Sequence, residues 1–108
     1  MYMRMTWFKL RPNCWEQYEA KYRELVIPDK GLCARWLSRD TNDTDAVYII
    51  SLWEDMASLQ EWETSRHFQE IFMPKVQPLI IGELTVSVCK VESSEFLSTC
   101  ATGQSPRK

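Results

Sequence analysis

The apolar residues of this chain change period along its length, and the changes mark out its elements. From residue 1 to residue 10 the period is two: Met1, Met3, Met5 and Trp7 fall on one side, Tyr2, Arg4, Thr6 and Phe8 on the other. That pattern predicts a strand, ended by Arg11-Pro12 because proline lacks a ladder donor. The period then becomes helical. Trp15, Tyr18, Tyr22 and Leu25 share a face with Val26 beside them, while Glu16, Glu19, Lys21, Arg23 and Glu24 cover the rest. Asn13 and Glu16 have the spacing of a capping box, and Pro28 is the expected stop. Alternation returns over residues 32–39, with Leu32, Ala34 and Trp36 on one face and Cys33, Arg35 and Leu37 on the other. A run of turn formers over residues 40–45 then predicts a hairpin.

The stretch from Ala46 to Pro74 organises the remainder. Its first part reads as a strand that is apolar on both faces: Ala46, Tyr48, Ile50 and Leu52 against Val47, Ile49, Ser51 and Trp53. Asp55 is the expected cap of a second helix, with Met56, Leu59 and Trp62 or Glu63 on its inner side. Ser65 is a second cap, which predicts a break there. Phe68, Ile71 and Phe72 continue the apolar stripe, and Pro74 and Pro78 bracket an irregular connector. Residues 79–91 form the last strand, in which Gly82 marks a bulge or a close approach. The order is β-α-β-β-α-β, an α+β ferredoxin-like arrangement with an antiparallel sheet. The expected division is a domain over residues 1–92 and a polar tail over residues 93–108, in which only Phe96 and Leu97 stand out as apolar.

An antiparallel strand with one wet face does not carry apolar residues on both. With 108 residues the chain is one domain with two helices at most, enough to cover one face of its sheet. A second copy of the sheet is the simplest cover for the other, so a homodimer through the sheet is expected.

Composition narrows the function. Apolar residues make up 44% and charged residues 26%, as in ordinary soluble domains. Five Trp, four Tyr and four Phe imply that many rings are buried or in an interface. A net charge of -2, with Arg and Lys interleaved among acids, argues against a nucleic-acid partner. No apolar run approaches the roughly 20 residues of a membrane span, and the first residues lack a signal peptide's apolar core, so the default compartment is cytoplasmic. Cys14, Cys33, Cys89 and Cys100 make no C-x-x-C pair and His67 is the single histidine. No metal is therefore expected, and the cysteines are expected to be free thiols.

The candidate residues each have two readings. Trp62 lines a pocket or packs the core. His67 is the natural proton carrier, or a half-exposed helix residue. Arg35 binds an anionic substrate group or, following the rule that buried charges are paired, an acid such as Glu83. Trp7 and Trp36 are interface or core residues. Cys14, in a first helical turn, is a remote candidate nucleophile.

The passage Ile50-Ser-Leu-Trp53-Glu-Asp, followed by Leu59-Gln-Glu-Trp62 and Ser65-Arg-His67-Phe68, resembles the central block of the antibiotic biosynthesis monooxygenase-like family. The resemblance covers residues 1–91 and implies a dimeric α/β barrel built from two ferredoxin-like sheets. Some of that family oxidise polyketide, quinol or other aromatic substrates without metal or flavin, the electron-rich substrate itself activating oxygen. A branch degrades haem with a strand Asn, a helix Trp and a later His. Here Trp62 matches the Trp, but Trp7 or Phe8 falls at the Asn and Phe72 near the His. Polyketide-oxidising members resemble the chain at Trp62, while Phe68 stands where they have a Tyr and Ser58 where they have an amide.

The resulting expectation is a cofactor-free monooxygenase for a small aromatic (quinol- or polyketide-like) substrate. Trp62 and His67 would be catalytic, and Phe68, Phe72, Ser58, Trp36 and Arg35 would contact the substrate. The alternatives are a non-catalytic small-molecule-binding or structural homodimer and, further off, a haem protein. A cavity of roughly 300 Å³ or more touching Trp62 and His67 would favour the enzyme. Side chains filling that space would favour the binder.

Overall fold

A computed structural model of the chain describes residues 1–96. The elements are β1 (Tyr2–Leu10), α1 (Trp15–Arg23), β2 (Leu32–Arg39), β3 (Ala46–Trp53), α2 (Met56–Glu63), a π-helical segment (His67–Phe72), α3 (Met73–Val76), a short 3₁₀ turn (Gln77–Leu79) and β4 (Ile80–Lys90). The strands form one antiparallel sheet in the order β2-β3-β1-β4. This is the α+β ferredoxin-like βαββαβ arrangement that the periodicity implies.

The inner sheet face and the helices make the core. Phe8, Leu10, Val47 and Trp53 from the sheet are at most 1% exposed, as are Tyr18 of α1, Leu59 of α2 and Val76 of α3. Asp55 caps α2 as expected, its carboxylate accepting from the Ser58 amide at 2.8 Å. The chain breaks after α2, and the Ser65 hydroxyl accepts from the Phe68 amide.

Several local expectations are corrected. Asn13 is not a cap: its φ is +65°, and it sits in the turn that the Cys14 amide closes onto the Arg11 carbonyl. Helix α1 ends at Arg23, well before Pro28, leaving Val26 and Ile27 in an exposed loop. The register of β2 on β3 shifts between Leu32 and Ala34. Leu32 therefore opposes Trp53 on the inner face with Arg35 and Leu37, rather than sharing a face with Ala34 and Trp36. Pro74 does not end the second helical region. It lies in the first turn of α3, where its missing N–H forfeits no hydrogen bond. Gly82 has a φ of +73° at an irregularity of β4 on β1, a bulge, the first of its two expected readings.

The other sheet face is open in the single chain. Met5 and Ile50 pair next to Trp36, and Trp7 pairs with Tyr48. Met5, Trp7, Trp36 and Tyr48 are 37%, 38%, 48% and 41% exposed. The expected tail lies, from Leu97 onward, outside the described residues, as does Cys100. No described helix is long and apolar enough to cross a membrane.

Candidate functional site

Strand register lays a polar row across the inner sheet face. Arg4 on β1 opposes Ser51 on β3, and Ser51 opposes Arg35 on β2. Neighbouring strands lie roughly 4.8 Å apart, so the two arginines flank the serine on a surface otherwise built of Phe8, Ile49 and Trp53. Burying such groups costs free energy unless they are paired. Arg4 is paired: its Nε donates to Glu63 Oε2 at 2.7 Å, its Nη1 donates to Thr6 Oγ1 at 2.9 Å, and its guanidinium lies 5.5 Å from the Phe68 ring centre. Ser51 Oγ accepts from Trp53 Nε1 at 2.9 Å, which leaves the serine proton free to be donated. Arg35 is different. It makes no ion pair within the described residues, with Glu83 or any other acid. Its guanidinium instead lies 5.1 Å from the Tyr22 ring centre.

Aromatic residues close the space above this row. Tyr22 comes from α1, Trp62 from α2, and Phe68 and Phe72 from the π-helical segment. Ser65 sets the geometry at the break: its hydroxyl donates to the Trp62 carbonyl at 2.8 Å and accepts from the Phe68 amide at 3.2 Å. The Trp62 and Phe68 ring centres are 5.4 Å apart, and Phe68 and Phe72 are 6.1 Å apart and within 20° of parallel. Tyr22 is 8% exposed and its hydroxyl, fully buried, has no hydrogen-bond partner among the described residues. Burial pushes the acidity of this phenol to a higher pKa, and the Arg35 charge offsets part of the rise. Tyr18, deeper in the core, is shifted upward by burial and by Tyr22.

The cavity has a free volume of about 60 Å³, room for about two water molecules. It is smaller than the size expected of an open ligand pocket. Trp62, Phe68, Phe72 and Arg35 line it; the other expected site residues do not. Trp36 is on the opposite sheet face. Ser58 is buried beneath Gly31, which has a φ of +91° and whose missing Cβ leaves room for the Ser58 side chain. His67 lies against Trp62, 6.1 Å between ring centres, outside the cavity wall. Its Nε2 accepts from the Val26 amide at 3.2 Å, pinning the loop after α1. The expected proton carrier thus contacts a loop amide rather than the cavity.

Sequence reasoning overlooked Tyr22, Arg4, Thr6 and Ser51 as cavity residues. The signal for three of them was present: Arg4, Thr6 and Ser51 are polar residues at strand positions whose neighbours on the same face are Phe8, Ile49 and Trp53. Tyr22 carried none, because a phenol on an apolar helix face looks like any core ring.

The sequence model of a family described as antibiotic biosynthesis monooxygenase matches residues 1–73. No curated protein matches the chain. Among solved structures, a crystal structure of an antibiotic biosynthesis monooxygenase is 22% identical, with a TM-score of 0.74 over 86% of this chain and 100% of that one. A Pseudomonas aeruginosa protein is 22% identical, with a TM-score of 0.70 over 85% of this chain and 94% of that one. A Mycobacterium tuberculosis protein is 16% identical, with a TM-score of 0.74 over 86% of this chain and 96% of that one. At these identities the structural matches establish the shared fold.

Proposed function

The chain belongs to the antibiotic biosynthesis monooxygenase family, and on that premise we propose that it oxygenates a small electron-rich aromatic molecule held between sheet and helices, as a homodimer. The single observation that carries the binding site is the unpartnered Tyr22 hydroxyl in a wall of rings. A core filled only for stability rarely leaves such a group without a protein partner. Trp62, Phe68 and Phe72 supply the apolar surface for a ring. The reaction class is a phenol or quinol losing one ring-carbon hydrogen and one hydroxyl hydrogen to dioxygen. One oxygen atom enters as a carbonyl and the other leaves as water, with the electrons coming from the substrate. A proton must leave the substrate, and the cavity groups Tyr22 and Ser51 are better placed for contact with it than His67. With about 60 Å³ of free volume, a ring enters only if lining side chains move.

The test is oxygen uptake across a panel of naphthols, hydroquinones and anthrones, with isotopically labelled dioxygen tracing one atom into the product. Wild-type turnover that falls at least tenfold in Trp62→Ala and Phe68→Ala supports the reading. Uptake no faster than the uncatalysed rate for every compound overturns it.

A second reading, a non-catalytic binder or structural dimer, is favoured by the cavity volume of about 60 Å³. It predicts that no compound of the panel is turned over even when it binds.

The homodimer rests on the uncovered apolar row of Met5, Trp7, Trp36 and Tyr48, which is too contiguous to remain in water.

A further inference from the structure

We propose that the ligand of this cavity carries an anionic oxygen, a carboxylate or a phenolate, and that Arg35, Tyr22 and Ser51 form the pole that recognises it. The inference rests on the cavity being a ligand site, as in the reading above, but not on oxygenation taking place there. Independent observations converge on it. Arg35 is a half-buried cation with no carboxylate partner among the described residues, whereas Arg4, its counterpart across Ser51, is neutralised by Glu63. The cavity therefore holds one uncompensated positive charge. Tyr22 contributes a buried hydroxyl with no acceptor, under a guanidinium that lies against its ring. Ser51 is buried, and because it already accepts from Trp53 Nε1 its remaining capacity is to donate. Two hydroxyl donors and a guanidinium, with no acid among them, suit an oxyanion and leave a neutral ring without complement. The free space of about 60 Å³ accommodates such a group before any aromatic wall moves.

The test is equilibrium binding to the full chain, followed by calorimetry. Benzoate is compared with its neutral isostere benzamide, and 4-nitrophenol is compared below and above its own ionisation. The expected result is that an anion binds at least about tenfold more tightly than its neutral counterpart, as hydrogen bonds to a charged group imply. Preference confined to benzoate assigns a carboxylate; preference confined to ionised nitrophenol assigns a phenolate. The preference should disappear in Arg35→Met and Tyr22→Phe, persist in part in Arg35→Lys, and remain in His67→Phe. Tyr22→Phe removes only an unpaired hydroxyl, so it keeps the test decisive if Arg35→Met does not fold. Equal binding of charged and neutral forms, failure of both anions to bind, or an unchanged preference in Tyr22→Phe overturns the proposal. Anion preference without oxygen uptake would remove the proposed reaction and leave this inference standing.

Discussion

The phenol of Tyr22 and the guanidinium of Arg35 are the cavity groups left without a hydrogen-bonding or ion-pair partner among the described residues. A buried hydroxyl without an acceptor forfeits the hydrogen bonds it made to water in the unfolded chain. Tyr22→Phe is therefore expected to leave the unliganded protein as stable or up to about 1 kcal/mol more stable, read from urea unfolding, while weakening ligand binding. The opposite result, a clear loss of stability, would mean that the hydroxyl has a structural partner. His67 illustrates the reverse lesson. As the single histidine it invites a catalytic reading, but its Nε2 accepts from the Val26 amide. His67→Phe should accelerate hydrogen exchange at Val26 and along the loop that follows α1. Exchange unchanged from wild type would show that this contact does not hold the loop. Of the expected site residues, those whose side chains share the inner face at the break (Trp62, Phe68, Phe72) were legible from spacing. The function of Ser58 was not, because its neighbour Gly31 approaches from a loop distant in sequence.

Among the elements, α2 and the segment after it supply three of the rings that line the cavity, and their ends are controlled by short-range hydrogen bonds. The Ser58 amide donates to Asp55 and holds that carboxyl below its ordinary range. A carboxyl whose folded value is depressed stabilises the fold fully above its ordinary pKa of 3.8. That contribution fades as pH falls through the lower folded value. Asp55→Ala should thus lower the thermal midpoint at pH 7, and the difference from wild type should shrink as the pH is brought toward 3; a difference that is independent of pH would contradict the capping role. Leu59, fully buried on the same helix, should cost about 2–5 kcal/mol on conversion to Ala, measurable by denaturant unfolding. Strand and helix positions here were legible because alternation and a helical stripe are local properties. The α1 terminus was misread because Pro28 is a permitted stop but not a required one. The chain leaves the helix earlier, at Arg23, and its next residues pack or hydrogen-bond elsewhere, Val26 with His67.

At the scale of the molecule, the sheet has one face covered by its own helices and one that is not. Trp36 and Tyr48, both more than two-fifths exposed, sit on that open face with Trp7 and Met5. A dimer through it would hide these rings and would leave the cavity on the opposite side of the sheet under the helices. Sedimentation is expected to give a dimer at micromolar concentration, and Trp36→Glu to shift it toward monomer by placing a charge in the apolar row. A wild-type monomer would contradict the assembly and leave the apolar face unexplained. The net charge of -2 does not set the cavity's sign: the inner face concentrates Arg4 and Arg35 locally, and only Arg4 is neutralised.

The sequence by itself determined the element order, the ferredoxin-like topology, the two-faced third strand and the cap at Asp55, because each follows from spacing within one stretch of chain. The tertiary structure alone decided which side chains meet. Bulges near Cys33 and Gly82 set the register, and register places Arg4, Ser51 and Arg35 in one row and brings Tyr22 of α1 over it. Register depends on strands far apart in sequence, and a shift of one residue turns every side chain to the other face. No periodicity within a single segment can report that.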